Sequence, residues 1–148
     1  MSSSRPELAK LRSLTAKERW LLLRAAIALP VSVVLLKVAG YQRSRRIGER
    51  LGRQRAAPTD VDARIASSVR MVHLAITRLP VRSACLSESL ALWYLLRTQG
   101  IQTEVCFGVR PGGAPLDAHA WVEHDGHPIN DTEETVGTYG RLQHGPSA

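Results

Sequence analysis

The sequence predicts an α+β fold. Helices fill the N-terminal half, and one more helix, opened by Cys85, packs on a small antiparallel sheet. Three observations carry this. Val61, Ile65, Val69, Val72, Ile76 and Leu79 recur at steps of three and four, the mark of one apolar helix face. Residues 103–109 alternate instead, with Val105, Phe107 and Val109 on one side, as a half-buried strand does. Asp125-Gly126 then supplies a tight-hairpin signal between two further strand-like segments. A length of 148 residues with 44% hydrophobic content suits one domain with a real core. Aromatics make up only 5%, so that core must rest on Leu, Val, Ile and Ala.

Taken in order, residues 1–13 are expected to be mobile. Thr15-Ala16-Lys17-Glu18 fits a capping box, with Thr15 as N-cap. The helix it opens should run toward Leu29 and end or kink at Pro30. Residues 25–36 carry no charge and lie between Arg24 and Lys37. They are too short for a membrane span, which needs roughly 20 apolar residues. Two packed helices joined near Pro30 are expected, and membrane contact is the minority reading. The second helix should run from about Val33 to Arg55, basic from Arg43 onward. Ala56-Ala57-Pro58-Thr59 reads as a linker and a new cap, and Pro80 ends the helix that follows. The Cys85 helix should reach about Thr98 and stop at Gly100. Residues 111–115 read as a loop, 118–124 as a second strand and 127–130 as a third. The expected organisation is a basic helical region over 1–57, a core over 58–136 and a loose tail over 137–148.

Charge is unevenly spread. Residues 1–60 hold 13 Lys/Arg against 4 Asp/Glu, and residues 61–148 hold 7 against 9. The basic half suggests an acidic partner, a membrane surface or nucleic acid, against the plainer reading of solvated helix faces. No aromatic interleaving accompanies Arg43 to Arg55, and nucleic acid is not expected as a partner. The two cysteines, Cys85 and Cys106, form no CxxC pair, and no secretory signal opens the chain. A reduced, cytoplasmic protein is expected.

The chemistry centres on Cys85. A thiolate at a helix N-terminus is favoured by the positive end of the helix dipole. His119, on the second strand, can take the thiol proton, and a carboxylate can orient that histidine. Asn130 and Asp131 both return beside His119 through the hairpin, and strand alternation alone leaves the choice between them open. Structural readings stand beside this one. A lone helical cysteine is usually a small buried hydrophobe, and Cys106 fits that description within its strand. His119, His124, His127 and Asp131 are close in sequence, but they lack a recognisable zinc spacing with either cysteine. Neither a metal nor a cofactor is expected.

Several pieces together resemble one family. They are Cys85-Leu86-Ser87-Glu88-Ser89-Leu90-Ala91-Leu92, Leu95-Leu96-Arg97-Thr98-Gln99-Gly100-Ile101 and Phe107-Gly108-Val109-Arg110, then Ala118-His119-Ala120-Trp121-Val122-Glu123 with Ile129-Asn130-Asp131. The combination is similar to the transglutaminase-like cysteine protease of lasso-peptide biosynthesis, closely over residues 80–132 and loosely before them. The resemblance implies a transglutaminase/papain-like core and a leader peptidase whose triad is Cys85, His119 and Asp131. It also implies a precursor peptide with its leader as substrate, and an ATP-dependent macrolactam cyclase downstream. Some members carry an N-terminal winged-helix module that reads the leader. Residues 1–80 show no strand-rich unit, so a separate leader-recognition protein is the expected partner. Two other functions are open: an acyltransferase of transglutaminase or arylamine type with the same triad, and a non-catalytic scaffold for precursor and cyclase.

Overall fold

The computed structural model describes residues 12–53, 55–112 and 117–142. Most of the segment expected to be mobile, residues 1–13, lies outside these, as do residues 113–115 of the expected loop and 143–148 of the tail.

Helix α1 (Ala16–Leu51) begins as the capping box requires. The Thr15 hydroxyl accepts the Glu18 N–H at 3.2 Å, and the Glu18 carboxylate accepts the Thr15 N–H at 2.8 Å. The expected break at Pro30 is corrected. The helix runs through Pro30 and breaks at Gly40, where φ is 74° and ψ is 171°. Proline within a helix removes one hydrogen bond and kinks the chain, but a left-handed residue turns the backbone out of the helix, and glycine does so without Cβ strain. The Ser44 hydroxyl takes up the Gly40 carbonyl at 2.8 Å. The helix ends at Leu51 with Gly52 as cap, short of the expected Arg55. Because it continues past Pro30, α1 is long and apolar enough by length and composition to cross a membrane.

Helix α2 (Val61–Arg78) is capped at Asp60 in place of Thr59. The Asp60 carboxylate reaches Arg64 at 2.7 Å instead of a backbone N–H. Its buried residues include Ile65, Met71, Val72 and Ala75, with Val61, Val69, Ile76 and Leu79 packed at their margin. This is the face the periodicity predicts.

Helix α3 (Cys85–Arg97) is central, and every residue from Ser89 to Leu96 is buried. Helices α1 and α2 both pack on it, as does the sheet. Helix α1 comes close enough that a Cβ on Gly48 would lie 2.0 Å from the Trp93 ring. The Tyr94 hydroxyl donates to the Ser44 carbonyl at 2.6 Å in the same contact. Gly100, at φ 81°, ends α3 as expected, and the Ile101 N–H bonds back to the Leu96 carbonyl at 3.1 Å.

The sheet is antiparallel, in the order β3-β2-β1-β4. Its strands are β1 (Glu104–Arg110), β2 (Asp117–His124), β3 (His127–Pro128) and β4 (Gly140–Arg141), with a short helix α4 (Glu133–Gly137) before β4. Asp125 (φ 50°) and Gly126 (φ 82°) form the β2–β3 hairpin with both central residues at positive φ, as the Asp-Gly pair predicts. Two expectations are corrected. The third strand stops at Pro128, because the side chain of Asn130 and not its backbone meets Val122. The tail is not loose through Leu142: β4 pairs with Gly108 and Val109, and the Leu142 N–H bonds to the Phe107 carbonyl at 2.9 Å.

Candidate active site

Helix α3 starts without a side-chain cap. Ala84 holds the N-cap position, where Ser, Thr, Asp or Asn would be favoured by about 1 kcal/mol. The Ser87 hydroxyl accepts the Ala84 N–H and donates to the Ala84 carbonyl, both at 2.9 Å, but Ala84 has no side-chain oxygen to accept a backbone N–H of the first turn. The N–H groups of Cys85, Leu86 and Ser87 have no acceptor within the helix, as at any helix start. They form the positive pole beside which the Cys85 thiol sits. Cys85 is partly exposed and packs against the cluster of Tyr41, Phe107 and Ala120.

His119 lies on β2, one residue before Ala120, and is paired in register with Gly108 of β1. Its Nε2 lies 2.5 Å from Oδ2 of Asp131, and both side chains are about four-fifths buried, at 22% and 19% exposure. The other Asp131 oxygen accepts the Thr132 N–H at 2.7 Å, which fixes the carboxylate. Two aromatic rings pack on the imidazole: Trp121 stacks at 6.0 Å and Tyr139 lies tilted at 5.0 Å, centroid to centroid. Gly108 makes room for this arrangement, since a Cβ there would fall 2.6 Å from the Tyr139 Cβ and 3.1 Å from the Trp121 ring. Arg110 lies over the Tyr139 ring at 4.6 Å.

The structure thus brings His119 and Asp131 together and gives Asn130 different work. Asn130 accepts the Val122 N–H at 2.7 Å and donates to the Ser89 hydroxyl at 3.3 Å, tying the returning chain to β2 and α3. With Nε2 held by a carboxylate, that nitrogen carries the proton and Nδ1 is left to exchange one. The Cys85 thiol makes no hydrogen bond to His119. It is placed by its packing near Ala120, on the α3 side of the strand.

Cys106 is a contrasting thiol. It is buried beside Glu123, and burial first, then the Glu123 charge, pushes it up to about 12. Glu123 accepts from the Trp121 indole at 2.7 Å and pairs with Arg141. His124 turns to the Gln102 carbonyl and His127 to Glu133. Among the described residues no group of three or more metal-ligating side chains converges. A cleft of about 680 Å³, lined by Arg45, Arg53 and Arg141 among others, includes none of Cys85, His119 and Asp131. Tyr139 and Gly108 are the parts sequence reasoning missed, because a single aromatic in a segment without periodicity carries no signal.

The sequence profile of the transglutaminase-like superfamily matches residues 25–144. The chain belongs to this superfamily. Comparison with curated proteins and with solved structures gives no match. The profile begins within α1 and extends past β4, so α1 from Ala25 onward and the Tyr139 segment lie inside the family's region. The superfamily includes cysteine peptidases and acyltransferases, and its fold is generally catalytic.

Proposed function

We propose that this protein is a bacterial, cytoplasmic cysteine peptidase that removes the leader from a ribosomally made lasso-peptide precursor. The observation that carries the reading is the 2.5 Å bond between His119 Nε2 and Asp131, which leaves Nδ1 for a thiol proton. Family membership and the sequence resemblance around Cys85 and His119 supply the class and the substrate.

In this reading His119 Nδ1 takes the Cys85 proton, and the thiolate attacks the carbonyl carbon of the last leader residue. No bond joins thiol and imidazole in the structure, where Cys85 packs on the Ala120 side, so the reading requires them to approach to bonding distance when substrate is bound. The Cys85 N–H, at the helix start, is the oxyanion-donor candidate. The imidazolium then protonates the amide nitrogen, the C–N bond breaks, and the core peptide leaves with a free α-amine. Water, deprotonated by His119, attacks the thioester, releasing the leader as an acid and restoring the thiol. Asp131 keeps the proton on Nε2 and stabilises the imidazolium. The freed amine suits an ATP-dependent cyclase that closes a macrolactam. A separate recognition protein presents the leader, with the basic stretch of α1 beyond Gly40 as its candidate docking surface.

The test is precursor processing followed by mass spectrometry, with the recognition protein and a primary amine added in turn. The peptidase reading expects leader acid in every case. Leader carrying the added amine would assign the acyltransferase alternative, and full pathway output from Cys85→Ala protein would assign the scaffold.

A further inference from the structure

Before its break at Gly40, six large apolar side chains on α1 face water: Trp20, Leu23, Ile27, Val31, Val34 and Val38. Their steps of three and four place them on one stripe of the helix. At 1.5 Å per residue the stripe is about 27 Å long. It is well exposed at both ends, 62% at Trp20 and 80% at Val38. The opposite face, with Ala25, Leu29 and Ser32, is fully buried against the body of the domain. The helix is therefore fastened along its length and shows one apolar side outward. Single exposed apolar residues need no explanation, but a contiguous stripe marks an interaction site.

Charge indicates what covers it. Residues 19–39, the part of α1 before its break that carries the stripe, contain Arg19, Arg24 and Lys37 and no Asp or Glu. At 100° per residue, Arg19 and Lys37 border the stripe on one side and Lys17 borders it on the other, where Arg24 turns inward to the Thr98 hydroxyl. An apolar helix face edged by cations, with an indole at its end, matches the headgroup region of a bilayer bearing anionic lipid. We propose that α1 lies flat on such a membrane surface and seats this stripe in it. The same helix has an 18-residue window of mean hydropathy 2.2. Spanning would strip Ala25, Leu29 and Ser32 from the core, whereas lying flat keeps them buried. The inference is independent of the peptidase reading.

The experiment is vesicle co-sedimentation of the full chain, with no activity readout. One vesicle is phosphatidylcholine containing phosphatidylglycerol, and the other is phosphatidylcholine alone. Binding is expected on the anionic vesicle and about tenfold or more weaker on the neutral one. The Val31→Gln/Val34→Gln/Val38→Gln variant changes only exposed positions and should lose at least roughly tenfold in binding with an unchanged thermal midpoint. Trp20→Ser provides the same check should the triple variant fold poorly. Wild-type protein left in solution with anionic vesicles would overturn the proposal, as would a folded variant that binds normally. A wild-type dimer made monomeric by the same substitutions would assign the stripe to a second copy and overturn it equally.

Discussion

His119 and Asp131 share a 2.5 Å bond while Asn130, the adjacent residue, holds backbone, and this division separates two kinds of loss. Asp131→Asn should lower turnover by roughly 10²–10⁴-fold with little effect on folding, because an amide cannot hold the imidazolium. Asn130→Ala should act the other way: it strands the Val122 N–H and costs about 1–3 kcal/mol of stability. Turnover by product mass spectrometry, set beside urea denaturation, checks the pair, and the reverse ranking would contradict the geometry. The sequence could not choose between these residues for a physical reason. Alternation applies within a strand, and β3 ends at Pro128, so both residues lie past the ladder and both turn inward. The thiols were more legible. Cys106 sits inside an apolar alternation, and its burial keeps it protonated. Iodoacetamide at neutral pH should label Cys85 and spare Cys106, as read by peptide mapping.

Among the elements, the sheet carries the site through Gly108. Gly108→Ala would push a methyl into Tyr139 and Trp121, at a cost of about 1–3 kcal/mol for overpacking. Displacing Tyr139 also loosens the packing on the imidazole, so turnover should fall beyond what the lost stability explains. Activity measured well below the melting temperature makes that distinction. The sheet also sets an alkaline limit. The Cys106 thiol is raised from 9.0 to about 12, so its neutral form is the one the fold prefers. That contribution is complete below about 9 and is lost as pH rises toward 12. The thermal midpoint should fall across this window, and less steeply in Cys106→Ala. Legibility followed the locality of each signal. The Thr15 capping box and the Asp125-Gly126 turn are complete within a few residues, and both formed. The α1 break was misplaced because Pro30 is the louder local signal, while the left-handed turn at Gly40 is set by how α1 meets α3. Strand β4 has two residues and depends wholly on β1, so no periodicity announced it.

For the whole molecule, the uneven charge is the feature with the widest reach. The basic half of α1 beyond Gly40 leaves Arg45, Arg46 and Arg50 exposed. Purified alone, the chain should process precursor poorly, and the recognition protein should raise the rate by bringing the leader close to the site. Charge reversal at those three arginines should lower the stimulated rate by roughly tenfold and leave the slow unassisted rate alone. Full-speed cleavage by the chain alone would contradict the split arrangement. The α+β architecture was legible from the order of helical and alternating segments, whereas the exposed apolar stripe was not, because composition cannot say which face a helix buries. The central claim is that Cys85, with His119 and Asp131, cleaves the leader. Its most direct measurement is mass spectrometry of precursor incubated with wild-type, Cys85→Ala, His119→Ala and Cys106→Ala proteins, with the recognition protein present in each. Leader and core should appear with wild-type and Cys106→Ala, and only intact precursor with the other two. Cleavage by Cys85→Ala, or equal loss in both cysteine variants, would contradict it.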